Sequence, residues 1–153
     1  SDLLIYRFST STRCMVSRVL VPMDDSEMAA EALRYVLDAH PDAEIHVLHV
    51  VGQPSPMMGQ ALKAALEADP EEAAREQAAP VLDRAREIAA SHGVDVETDV
   101  AWGNPAKVIV DRAADFDMVV VGSHSGSLAD RLFVGNVAQK VVRHSPAPVT
   151  VVR

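Results

Sequence analysis

The feature that most constrains this chain is an alternation between two hydrophobic periods. Short, nearly continuous apolar runs of strand length are separated by longer stretches whose apolar residues return every three or four positions. The series opens with Arg18, Val19, Leu20, Val21, Pro22 and Met23, which read as a buried strand. Residues 44–51, 94–102, 117–121 and 149–152 read as four more strands. Helical spacing fills the gaps between them. The resulting order, βαβαβαβαβ, predicts an α/β fold with a parallel five-stranded sheet and helices on both faces, three layers in all.

Local signals support each boundary. Ser26 is placed to cap a first helix whose buried side holds Ala29, Leu33, Val36 and Leu37. Pro41, Asp42 and Ala43 form a turn. Asp69, Pro70 and Glu72 make a capping box with proline at the first helical position. The helix they start should bend at Pro80 and end at Gly93. Asn104 and Pro105 start another helix, with Val108, Ile109 and Ala113 on its buried side. A last helix runs over 135–144 and is broken by Pro146 and Pro148.

With 153 residues, 48% of them hydrophobic and 24% charged, the chain suits one domain with a sizeable core. Residues 16–153 form that domain, and residues 1–15 read as a flexible N-terminal extension, with Met15 and Val16 resembling a natural start. A net charge of −8 argues against nucleic acid or anionic membrane as a partner, because phosphates need a basic face. No apolar run approaches a membrane span, and no secretory signal pattern is visible. The single cysteine, Cys14, excludes an intrachain disulfide and fits a reducing, cytoplasmic setting.

In an open parallel sheet, ligands bind beyond the carboxyl ends of the strands, where the winding reverses. Three segments reach that edge with useful chemistry: Pro22-Met23-Asp24, His49-Val50-Val51, and Gly122-Ser123-His124-Ser125-Gly126. A later helix opens at Gly135, Asn136 and Val137. Glycine-rich loops and helix starts present main-chain N–H groups that can hold phosphate without lysine. Asp24 can accept hydrogen bonds from ribose hydroxyls, and Val50 can bed a planar base. Plainer readings stand beside these. The glycines can be simple turns, and Asp24 can be a helix cap. His124 can be a surface group, and Met57 and Met58 an ordinary loop instead of a lid. Trp102 reads as packing, and Asp115 and Asp117 as solvated turn residues. His46 and His49 lie an odd number apart on a strand, face opposite ways and should not share a metal.

The stretch GSHSGSLADRLFVGNVAQKVVRHSPAPVTVV resembles the C-terminal signature of universal stress proteins. VLVPMDDSEMAAEAL resembles their first strand and helix, IHVLHVV their second strand, and WGNPAKVIVDRAADFDMVVVGSHS their third helix and fourth strand. The resemblance spans nearly all of residues 17–153. It implies a flavodoxin-like, Rossmann-like sheet of order 3-2-1-4-5 and a homodimer paired through Val149, Thr150, Val151 and Val152, where an exposed apolar edge would itself want a partner.

The ATP-binding branch of that family carries G-x2-G-x9-G-[ST]. Here Gly122 and Gly135 match, while Ser125 and Asn136 replace the second glycine and the final hydroxyl. A serine forced to positive φ costs roughly 1–2 kcal/mol, about ten-fold in affinity. Gly126 can absorb part of that strain, and Asn136 caps a helix as well as serine does. By resemblance Pro22, Asp24 and Val50 surround adenine and ribose. Gly122, Ser123, Ser125, Gly135, Asn136 and Val137 surround the phosphates. The expected function is an ATP-binding (or AMP- or ADP-binding) sensor or regulator of stress responses, with Mg2+ as an accompanying ion. It is a binder with at most slow ATP turnover, and an unknown regulatory protein is its partner. The alternative is a universal-stress-type interaction module that binds no nucleotide. A hydrolase cutting between the α- and β-phosphates would need a substrate domain for which the chain has no room.

Overall fold

The computed structural model describes residues 16–52, 60, 64, 67–123 and 136–153. The N-terminal extension, the Met57–Met58 loop, His124, Ser125, Gly126 and Gly135 therefore lie outside the described residues. Nine elements follow one another: β1 (Arg18–Pro22), α1 (Glu27–Ala39), β2 (Glu44–Val51), α2 (Pro70–Ser91), β3 (Glu97–Trp102), α3 (Pro105–Ala113), β4 (Met118–Gly122), α4 (Asn136–His144) and β5 (Val149–Val152). The strands form one sheet of order β3-β2-β1-β4-β5, with every pairing parallel. The parallel sheet is the one expected from the alternation, and its strand order is the one the family resemblance implies.

The period-two pattern of the strands divides the core. Val19, Val21, Ile45, Val47, Met118 and Val120 point to one face and pack under α1 and α2. Leu20, Leu48, Val119 and Val121 point to the other and pack under α3 and α4 through Ile109, Ala113, Ala138 and Val141. Strands buried on both faces read as continuous apolar runs for this reason.

The caps are where the residue types put them. Ser26 Oγ accepts from Ala29 N–H at 3.1 Å, Asp69 Oδ1 from Glu72 N–H at 3.2 Å and Asn104 Oδ1 from Lys107 N–H at 3.1 Å. α2 runs through Pro80, which sits on its exposed side. Gly93 follows in the left-handed region at φ 71°. Three details differ from the sequence reading. β3 starts at Glu97 rather than Val94, because 94–96 carry no ladder. Ala106, not Val108, joins Ile109 and Ala113 as a buried residue of α3. Asp117 is more than a solvated turn residue, because its Oδ2 accepts from the Ser17 and Arg18 amides, both at 2.9 Å.

Candidate functional site

The sheet opens at one place. The β1–β2 ladder continues to Pro22 opposite Leu48, and the β4–β5 ladder to Gly122 opposite Val152. Between them, β1 and β4 pair only at Val19 with Met118 and Leu20 with Val119, then part. Here the winding reverses too: β1 leads to β2 on one side and β4 to β5 on the other. A crevice at the carboxyl end of the sheet, at the switch point, is the place where open α/β folds take ligands.

Register decides what faces the crevice. Carried past the last pairs, it sets Asp24 level with Val50 on one neighbour and with Ser123 on the other. Three of the expected residues thus stand at the same level at the ends of three adjacent strands. Pro22 is half-buried at the end of β1, and Val50 is half-buried beside Ala101 on the α3–α4 face. Met23 turns its side chain into the core at 4% exposure, so it offers the site only its backbone. Asn136 and Val137 stand at the start of the described part of α4, and both are exposed.

Gly122 has a structural reason of its own. A Cβ there would lie 2.8 Å from both the carbonyl carbon and oxygen of Met28. The end of β4 therefore rests directly on the main chain of the first turn of α1, and only glycine permits that approach. This contact forms one wall of the crevice.

The polar groups of the site are incompletely used. Asp24 Oδ1 accepts from Ser26 N–H at 2.9 Å, so the cap reading of Asp24 holds for one oxygen. Oδ2 has no partner among the described residues. The Ser123 amide donates to Val152 O at 2.8 Å, while its hydroxyl is fully buried and makes no hydrogen bond among the described residues. A buried hydroxyl without a partner costs about 1–3 kcal/mol. An unmatched polar atom of this kind at the end of β4 is an exception to the rule that buried polar groups are bonded.

Two contacts at this edge were not legible from residue spacing. His49 places Nδ1 2.8 Å from the Met23 carbonyl oxygen. Its distance from His46 showed only that the two rings face apart, which the structure bears out: His46 packs edge-on to Phe116 at 5.0 Å. Arg84 crosses from α2 to Glu27 Oε2 at 2.6 Å and reaches the Asp25 carbonyl at 3.5 Å, tying α2 to the β1–α1 loop. Hydrogen bonds from Arg84 and then Arg34 hold the Glu27 carboxyl below the usual carboxylate range. No local pattern in the sequence announces a bond between residues so far apart. A separate groove of about 330 Å³ lies between α3 and α4, lined by Ala106, Val110, Lys107, Lys140 and His144 among others, away from the crevice between β1 and β4.

None of the described helices is long and apolar enough to cross a membrane. Residues 15–153 match the pattern that defines the Universal stress protein family. The chain is 32% identical over 150 residues to Universal stress protein YxiE of Bacillus subtilis, covering 91% of this chain and all of that one. The solved structure of the hypothetical protein MJ0577 superposes with a TM-score of 0.72 at 26% identity, over 90% of this chain and 96% of that chain. A universal stress protein in complex with cAMP shares the fold, with a TM-score of 0.64 at 22% identity over 90% and 97% of the two chains. On a match that covers all but the first residues, together with this strand order, the chain belongs to the universal stress protein family.

Proposed function

We propose that this chain binds an adenine nucleotide, ATP or its mono- or diphosphate, in the crevice between β1 and β4, and acts as a homodimeric sensor or regulator in the cytoplasm. The observation that carries this reading is the Ser123 hydroxyl, buried and without a partner among the described residues, at the level of Asp24 and Val50. Asp24 Oδ2 accepts a ribose hydroxyl, Val50 lies against the base, and the first amides of α4 with the Gly122–Ser123 end of β4 face the phosphates. The same fold holds cAMP in one solved structure, which supports the class of ligand. Mg2+ would arrive with the phosphates and take Asp24 as its protein ligand, in keeping with the one or two carboxylates such ions use. One carboxylate at the strand ends and no P-loop lysine point to binding rather than turnover.

The dimer reading rests on the two edges of the sheet. At the β3 edge, Glu97 and Asp99 are exposed, Asp99 pairs with Arg112, and Arg86 bonds Thr98. Charges of this kind block strand addition. At the β5 edge stand Val149, Thr150, Val151 and Val152, all half-exposed and none charged. That edge is built to pair with a second copy. Sedimentation equilibrium should show a dimer at micromolar concentration, and a monomer throughout would end that part of the proposal.

Native mass spectrometry of untreated protein tests the nucleotide reading, with a co-purified adenine nucleotide as the expected result. Calorimetry with ATP and AMP gives the same test in solution, and Ser125→Gly should tighten binding about ten-fold. A chain that takes up neither nucleotide would instead be the interaction module that Ser125 and Asn136 favour.

A further inference from the structure

We propose that His49 sets the ribose specificity of the crevice by positioning Asp24 through the Met23 carbonyl. The inference rests on the nucleotide reading above and adds a residue that reading did not need. The β1–β2 ladder ends at Pro22 opposite Leu48, and the Met23 amide adds one more bond, to Leu48 O at 2.8 Å. The Met23 carbonyl then lies beyond the ladder and needs a donor. His49 Nδ1 supplies it at 2.8 Å. A carbonyl only accepts, so Nδ1 carries the proton. The imidazole thereby replaces the next ladder bond with a side-chain bond, and both main-chain groups of Met23 are fixed. Asp24 is the next residue, and its Oδ1 is itself tied to the Ser26 amide at 2.9 Å. With Met23 clamped on one side and Ser26 on the other, Oδ2 is held at one orientation. A carboxylate held that way distinguishes a sugar that presents its hydroxyl from one that lacks it, because charged hydrogen bonds depend on alignment. Released, it would swing with its loop and discriminate poorly.

The test compares the wild type with His49→Asn, which can place an amide N–H near the position of Nδ1, and His49→Leu, which has no donor. Two readouts are used. In the ligand-free protein, hydrogen exchange at the Ser26 amide should quicken in His49→Leu and return toward wild type in His49→Asn. In binding, the wild type should prefer ATP to 2′-deoxy-ATP or 3′-deoxy-ATP by about ten-fold, the loss of one charged hydrogen bond. His49→Leu should narrow that ratio to about two-fold while still binding ATP, and His49→Asn should largely restore it. Unchanged Ser26 exchange in His49→Leu overturns the proposal whether or not nucleotide binds. So does an unchanged ratio in a variant that exchanges faster. Failure of the wild type to bind any nucleotide counts against the functional reading and removes the ribose part of the proposal, leaving the exchange result to decide the positioning alone.

Discussion

The two ends of the same sheet treat their polar groups in opposite ways. At the amino end, nearly everything polar is matched. Arg18 stacks over the Phe116 ring at 4.8 Å and donates to the Asp115 carbonyl at 2.8 Å. Glu44 faces both Arg18 and His46, and Asp117 accepts two main-chain amides. At the carboxyl end, Ser123 keeps a buried hydroxyl and Asp24 a carboxylate oxygen with no partner among the described residues. The apolar core between them is continuous. A matched end closes the fold, whereas polar groups left unmatched suit a ligand, and that contrast supports the proposed site independently of any relative.

The contrast can be broken by substitution, and the largest effect should come from Gly122→Ala. The added methyl meets the main chain of Met28, so α1 must move away from β4. About 1–3 kcal/mol of stability should be lost in denaturant melts, together with nucleotide affinity, because one wall of the crevice shifts. A neutral substitution would mean that β4 and α1 do not approach as described.

Next in size is Asp24→Asn. Its side-chain oxygen can still accept from Ser26 N–H, so stability should hold, while ATP affinity falls about ten-fold for want of the charge. Asp117→Asn at the other end should do the reverse. It weakens the bonds to Ser17 and Arg18 at a cost of about 1 kcal/mol and leaves ATP binding alone. If both substitutions act alike on stability and binding, the two ends are not distinct.

Ser123→Ala sharpens the point. Removing an unsatisfied buried hydroxyl should raise the melting temperature by about 2–4 °C and still weaken ATP binding. A lower melting temperature would show that the hydroxyl has a partner in the free protein.

The smallest effect concerns pH. Folding lowers the Glu27 carboxyl below its ordinary value, chiefly through the Arg84 hydrogen bond. Its contribution is therefore fully present above the ordinary carboxylate range and fades as pH falls through the lowered native value. The group is exposed, so the slope is slight. Acid titration of stability should show that slope in the wild type and lose it in Glu27→Gln.

Much of this architecture was legible in the residues themselves. Alternating periods marked the five strands and the helices between them because apolar burial on both faces of a parallel sheet leaves no other pattern. Ser26, Asp69 and Asn104 could be read as caps because a short polar side chain before a helix has one obvious partner, an amide in the first turn. The strand order came from the family resemblance and is the one observed, while the site candidates came from the strand ends and were given their separate roles by that resemblance. What could not be read depends on distance in sequence. Arg84 meets Asp25 and Glu27 only because α2 packs beside α1, and Asp117 meets Ser17 only because β4 lies beside β1. The contact of His49 with the Met23 carbonyl needed the register of β1 on β2, which periodicity leaves open.

Hydrogen exchange, measured residue by residue with and without saturating ATP, tests the division between the two ends most directly. ATP should slow exchange at Asp24, Val50, Ser123 and Val137 and leave Arg18, Glu44 and Asp117 as they were. Protection spread evenly over both ends, or confined to the groove between α3 and α4, would contradict a nucleotide site at the parting of β1 and β4.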